Sequence, residues 1–200
     1  MPVGCVRHRA ALVNRVSSDQ TSAPALADQV DAAGIPVIAL HTPHPHATFC
    51  AVNNYRVGVE AGEGLAQDAK RTWDGKVRWA LGLDIDEAGP LVQSRVTGAF
   101  EAIRSRLPGI PAEFLVRMDA RGLRDKSCQV VLDFLRRHPK DRGILIAAAT
   151  DTSALGAVQA VRELKREKYV AIVGQECIPE ALEEISRTDS PLIGQGWHEA

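Results

Sequence analysis

The sequence predicts an α/β fold with mainly parallel sheets. Two apolar runs, Ile144 to Ala149 and Tyr169 to Val173, are continuous in the way that strands covered on both faces are. Between them Leu155, Val158, Val161 and Leu164 recur at helical spacing. Runs and helical stretches of this kind then alternate along the chain, the pattern of a sheet joined by helical crossovers.

The stretch Gly143 to Ala181 is the clearest strand–helix–strand unit. Thr150 and Asp151 end the first run, and either can cap a helix by accepting from free backbone N–H groups. Lys165, Arg166 and Lys168 close the helix, where positive charge suits its C-terminus. The crossover is expected to be right-handed, and Gly174 to Cys177 reads as the exit loop of the second strand. In open parallel sheets ligands sit beyond the carboxyl ends of the strands. Here those ends are polar: Thr150-Asp151 and Gln175-Glu176.

The remaining elements follow in order. Ala10 to Val16 reads as a weak strand, interrupted by Asn14 and Arg15. Ala23, Leu26, Val30 and Ala33 mark a helical face that Gly34 stops. Ile35 to Leu40 is a buried strand with Pro36 near its start, and the loop HTPHPHAT leads to a short strand, Phe49 to Val52. Asn53-Asn54-Tyr55 opens a helix in which Gly58, Ala61 and Gly62 are expected to let it lie close on a sheet. After the Asp74-Gly75 turn, Val77, Trp79, Leu81 and Leu83 form a strand ending in an acidic loop, Asp84 to Gly89. Val92, Val96, Ala99, Ile103 and Leu107 line a helix, Glu113 to Met118 a strand, and Val131, Leu132 and Leu135 a helix ending near His138-Pro139. Pro179 suits a first helical position, with Glu180, Glu183 and Glu184 in the early turns, and Leu192-Ile193 begins one more strand.

Composition narrows the function classes. Of 200 residues, 45% are hydrophobic and 24% charged, ordinary for a globular chain. A net charge of −1 does not suggest a nucleic-acid or membrane surface, and 4% aromatic residues argue against a base-stacking one. No apolar stretch approaches the ~20 residues that span a bilayer. Cys5, Cys50, Cys128 and Cys177 form no Cys-x-x-Cys pair, so they read as free buried thiols.

His41, His44 and His46 have a spacing compatible with a metal, but the prolines between them favour a polar loop. Asp84, Asp86 and Glu87 share one short loop instead of facing each other across a cleft, so a solvated or ligand-contacting loop is expected. No dinucleotide fingerprint, phosphate-binding loop or nucleophile elbow is present. Arg95, near a helix start after a strand, is either a surface arginine or a fork of donors aimed at ligand oxygens.

The order AGIPVIAL, VNNYRVGVEAG, SRVTGAFEAI, ATDTSALGAVQAV and VAIVGQECIPEA, from about Ala10 to the end, resembles the periplasmic sugar-binding proteins of ABC transporters, the ribose-binding-like type. The resemblance implies the type I periplasmic-binding-protein fold: two three-layer (αβα) lobes with a parallel sheet in each and a sugar between them. It places ligand contacts at His41 and Thr42, Asn53, Arg95, Thr150 and Asp151, and Gln175 and Glu176. The chain departs from the family at His41-Thr42, where an acidic residue and an arginine are common. It also departs at Thr150, which replaces an asparagine, and at Glu176, which replaces an aspartate. Beside the family, the first lobe looks truncated, and a returning segment after Ile193 is missing. Residues 1–53 would be a partial N-terminal lobe, 54–194 a nearly complete second lobe and 195–200 the start of the return segment. The implied partners are a small sugar and a membrane permease, with no nucleic acid and no cofactor, in a periplasmic or other extracytoplasmic setting. The same fold serves the ligand domain of lac-repressor-type regulators, which is the alternative; a sugar-modifying enzyme is a further one. Arg95→Ala is expected to weaken binding and barely change folding, as a cleft arginine outside the core would.

Overall fold

The computed structural model describes residues 13–16, 23–40 and 45–196. The chain divides into two compact units, Met1–Asn53 with Glu87–Gly89, and Asn54–Asp86 with Pro90–Ala200.

In the first unit, strands β1 (Val13–Val16), β2 (Val37–Leu40) and β3 (Thr48–Cys50) form a parallel sheet in that order, with helix α1 (Ala23–Ala32) between the first two. Val30 and Ala39 are buried, whereas Ile38 and Phe49 stay 37% and 45% exposed. Of the expected strand Ala10 to Val16, the first three residues lie outside the described residues. The expected strand Phe49 to Val52 is instead Thr48–Cys50, because the ladder ends where Leu40, the last residue of β2, meets Cys50. The expectation of buried free thiols holds for Cys128, but Cys50 is exposed and Cys177 only half-buried; Cys5 lies outside the described residues.

The second unit is a three-layer sandwich. Its elements are α2 (Asn54–Trp73), β4 (Trp79–Asp84), α3 (Gly89–Arg106), β5 (Leu115–Asp119), α4 (Arg124–Arg137), β6 (Ile144–Ala148), α5 (Asp151–Glu163), β7 (Val170–Gln175), α6 (Pro179–Ile185) and β8 (Leu192–Gly196). The five strands are all parallel, in the order β5-β4-β6-β7-β8. Strand alternation divides the core in two. Ile144, Ile146 and Ile172 pack with α4 and α5 through Val131, Leu135, Val158 and Val161. Leu145, Ala147, Ala171 and Val173 pack with α2 and α3 through Leu65, Ala69, Ala99 and Ile103. Covering both faces satisfies what a parallel sheet needs. The strand order reverses around β4, which has β5 on one side and β6 on the other; such a reversal leaves a crevice at the carboxyl ends.

Several expected boundaries shift for identifiable reasons. β4 starts at Trp79, not Val77, because Arg78 and Trp79 both give their N–H to Gly143 O before the ladder with β6 begins. Glu113 lies in the 3-10 turn Ala112–Phe114, closed by Phe114 N–H to Pro111 O at 3.1 Å, so β5 begins later. Gln175 belongs to β7 rather than to its exit loop, because β8 pairs with the strand as far as Gly196. Asp84 is not part of a solvated loop. It ends β4, is 1% exposed, accepts the Ile85 N–H at 3.0 Å and pairs with the Arg117 guanidinium. Burial raises its pKa, and the Ile85 N–H and Arg117 oppose that rise.

The glycines of α2 also act differently from expectation. Ala61 does face the sheet core. Gly58 and Gly62 face α3 instead: a Cβ on Gly58 would lie 1.9 Å from Arg95 O, and one on Gly62 would lie 2.3 Å from Ala99 O. On the opposite side of the same contact, a Cβ on Gly98 would lie 2.2 Å from Tyr55 O. Backbone meets backbone at this crossing, so no rotamer change can relieve an added methyl. Gly58→Ala should therefore destabilise the chain by about 1–3 kcal/mol despite alanine's better helix propensity. Urea denaturation measures this; an unchanged or raised midpoint would show that the helices part without cost.

Candidate functional site

The polar groups at the carboxyl ends of β6 and β7 gather around one side chain, Arg95. The close approach of α2 and α3 sets its position, since Gly58 lies against its backbone. Its Nε donates to Asn54 Oδ1 at 2.7 Å, and its Nη1 donates to Ala149 O at 2.7 Å. The same Nη1 stands 3.8 Å from Glu176 Oε1. Arg95 thus joins the start of α2, the end of β6 and the loop after β7. Among the described residues its Nη2 has no hydrogen-bond partner. The side chain is only 12% exposed. Burial lowers the guanidinium pKa, and the charges of Glu176 and Asp151 oppose that shift.

This geometry corrects the expectation that Arg95 stands apart from folding. Asn54 is 6% exposed, so its carbonyl would be left buried without its donor if Arg95 were truncated. Arg95→Ala is therefore expected to cost stability.

Asp151 opens α5 and is fully buried; its Oδ2 accepts the Ile178 N–H at 2.9 Å, tying the helix to the loop after β7. Thr150 is the cap of the same helix: its Oγ1 accepts the Ser153 N–H at 3.2 Å and donates to Ser153 Oγ at 3.1 Å. Its hydroxyl is already engaged locally. Glu176 and Cys177 have φ angles of 136° and 61°, conformations that side-chain-bearing residues rarely adopt. Strain of this kind persists where neighbouring contacts over-determine a loop; here the Asp151 bond to Ile178 supplies one such contact.

Gln175 differs from the rest. It is 1% exposed, and neither Oε1 nor Nε2 has a hydrogen-bond partner among the described residues. Ala171 and Val173 face the α2/α3 core, so alternation puts Gln175 on that face too. A buried amide without partners costs about 1–3 kcal/mol, which points to a group that completes it.

Of the other expected contacts, His41 and Thr42 lie outside the described residues, as does His44. Asn53 is exposed and belongs to the first unit. Asn54, its neighbour, is the residue that meets Arg95. The paired asparagines at the helix start were the available signal for it; nothing in a sequence marks the Ala149 carbonyl. Among the described residues no group of His, Cys, Asp and Glu is arranged to hold a metal ion.

The electrostatics make a pH-dependent prediction. Burial raises the Glu176 pKa above its ordinary 4.5, with Arg95 opposing and Asp151 adding to the rise. A carboxyl raised on folding is equally protonated in both states well below 4.5; as pH climbs through the folded value, the folded chain is progressively disfavoured. Glu176→Gln should remove that loss, so its melting temperature should gain on the parent as pH rises from about 4.5 toward neutrality. If the variant instead falls behind as pH rises, attraction to Arg95 outweighs burial.

A family profile described as periplasmic binding protein domain matches residues 9–197. No curated protein matches. Among solved structures, the chain is similar to an ABC transporter periplasmic solute-binding protein from Actinobacillus succinogenes 130z with bound D-allose. The two share 21% identity with a TM-score of 0.77, over 94% of this chain and 66% of that one. A solute-binding protein from Bacillus halodurans C-125 with bound myo-inositol gives 18% identity and a TM-score of 0.76, over 94% and 63%. One from Mycobacterium smegmatis with bound glycerol gives 22% and 0.76, over 92% and 61%. The chain thus spans under two thirds of the length of these structures. Sheet order, layers and profile agree: the chain belongs to the periplasmic binding protein domain family, with the type I fold of its sugar-binding ABC-transporter neighbours.

Proposed function

We propose that this chain binds a small sugar as part of the substrate-binding component of a carbohydrate ABC transporter, outside the cytoplasm, and passes it to a membrane permease unchanged. The observation that carries the reading is the Gln175 amide, buried with both polar atoms unpaired among the described residues. It lies at the end of β7, the residue before Glu176, which stands 3.8 Å from Arg95. A sugar hydroxyl both donates and accepts, so it suits an amide, a guanidinium nitrogen and a carboxylate together. The neighbours named above hold D-allose, myo-inositol and glycerol, all polyhydroxy compounds. Among the described residues no helix is long and apolar enough to cross a membrane.

The chemistry of three strand-end residues supports binding without conversion. The Thr150 hydroxyl is engaged with Ser153, and the Asp151 carboxylate holds the Ile178 N–H. Burial raises the Cys177 pKa, which keeps it a thiol and a poor nucleophile. None of the three is poised to attack or to deprotonate a bound sugar.

Calorimetry with D-allose and myo-inositol tests the reading, with Gln175→Leu as the variant. Removing an unpaired buried amide should leave the denaturation midpoint equal or higher, while sugar affinity falls about tenfold or more. A variant that unfolds readily yet binds normally would make Gln175 structural, and conversion of the bound sugar would overturn the reading of binding alone.

A further inference from the structure

At the opposite end of the second unit's sheet, the segments leading into β4 and β6 border a concavity of about 640 Å3. Five cationic residues border it, Lys70, Lys76, Arg78, Arg106 and Arg142, with a single acidic one, Asp74. The whole chain carries a net charge of −1, so this is a strong local concentration of positive charge.

Helix ends account for only part of it. Lys70 and Arg106 lie in the last turns of α2 and α3, where cations suit the dipole. Arg106 also pairs with Glu63 at 2.6 Å, and Lys76 with Asp74 at 3.6 Å. Arg78 and Arg142 belong to neither helix. Among the described residues no carboxylate pairs with either of them, or with Lys70. Aromatic rings hold both guanidiniums: Arg78 Cζ lies 3.9 Å from the Phe114 centroid, and Arg142 Cζ 4.7 Å from that of Tyr169. Their backbones are fixed as well. Gly143 has φ 68°, a Cβ there would lie 2.2 Å from Lys76 O, and its carbonyl accepts the Arg78 N–H at 2.7 Å. Only glycine allows the two segments to press together in this way. Stacked, backbone-anchored arginines lose less freedom on binding an oxyanion than free surface cations do.

We propose that this concavity is a binding site for a small, multiply charged oxyanion of the phosphate or pyrophosphate type, separate from the strand-end site around Arg95. The hollow shape favours a soluble anion over the flat surface of an anionic bilayer.

The test is calorimetry of the full chain with inorganic pyrophosphate and with inorganic phosphate, in low salt without other oxyanions. Saturable binding is expected, tighter for pyrophosphate and weakened by added salt. Arg78→Gln with Arg142→Gln should weaken pyrophosphate about tenfold or more. Should that double variant fold poorly, Lys70→Gln with Lys76→Gln, both exposed positions, should weaken it in the same direction with an unchanged denaturation midpoint. Absent saturation, or full affinity in a folded variant, overturns the proposal. So does sedimentation with phosphatidylglycerol vesicles in a chain that does not bind pyrophosphate, since that assigns the basin to a membrane.

Discussion

Two helices cross so closely that glycines stand where their backbones meet, and much of the candidate site depends on that crossing. Gly58 and Gly98 each lie against the other helix's backbone. The spacing delivers Asn54 Oδ1 to Arg95 Nε and, beyond it, Arg95 Nη1 to the Ala149 carbonyl. A guanidinium this enclosed carries a desolvation cost, visible as its lowered pKa. Removing one partner of such an arrangement costs more than the arrangement itself contributes, because a buried polar group is left behind. Arg95 is therefore both a tie for three elements and a source of unsatisfied donors at the strand ends.

The sheet explains why the two ends of this unit differ chemically. Its interior strands are apolar on both faces, so polar groups collect where strands stop. At the carboxyl ends they are an arginine, two acids and an amide, mostly enclosed, with Arg95 and Asp151 bonded to backbone. At the amino ends they are open cations resting on rings. Enclosure suits neutral hydroxyls, which are discriminated by hydrogen bonds. An open basin suits multivalent charge, whose attraction reaches over several ångströms of water.

Much of this was legible in the sequence, and the gaps have physical causes. The apolar runs in β6 and β7 and the helical periodicity between them reflect burial directly, so the layer arrangement followed. Position alone left Arg95 open as a surface arginine or a ligand contact, and the family resemblance singled it out. Periodicity could not tell which neighbour Gly58 and Gly62 face, since small residues serve helix–helix and helix–sheet contacts alike. Nor could it reveal that Asp84 turns inward, because its stabilising partner, Arg117, comes from a different strand. Gln175 looked like loop because its strand character comes from β8, which pairs alongside it late in the chain. The Asn53-Asn54 pair marked the helix start, yet only the approach of α3 selects Asn54 as the buried member.

The central claim, that Arg95 and Asn54 act as one structural tie at the head of the site, is tested most directly by a double-mutant cycle. Denaturation of Arg95→Ala, Asn54→Ala and the combined variant should show each single change destabilising the chain. The combined change should cost less than their sum by about 1.5 kcal/mol or more, as expected for a charged hydrogen bond lost only once. Strictly additive effects, or an Arg95→Ala chain as stable as the parent, would contradict the account.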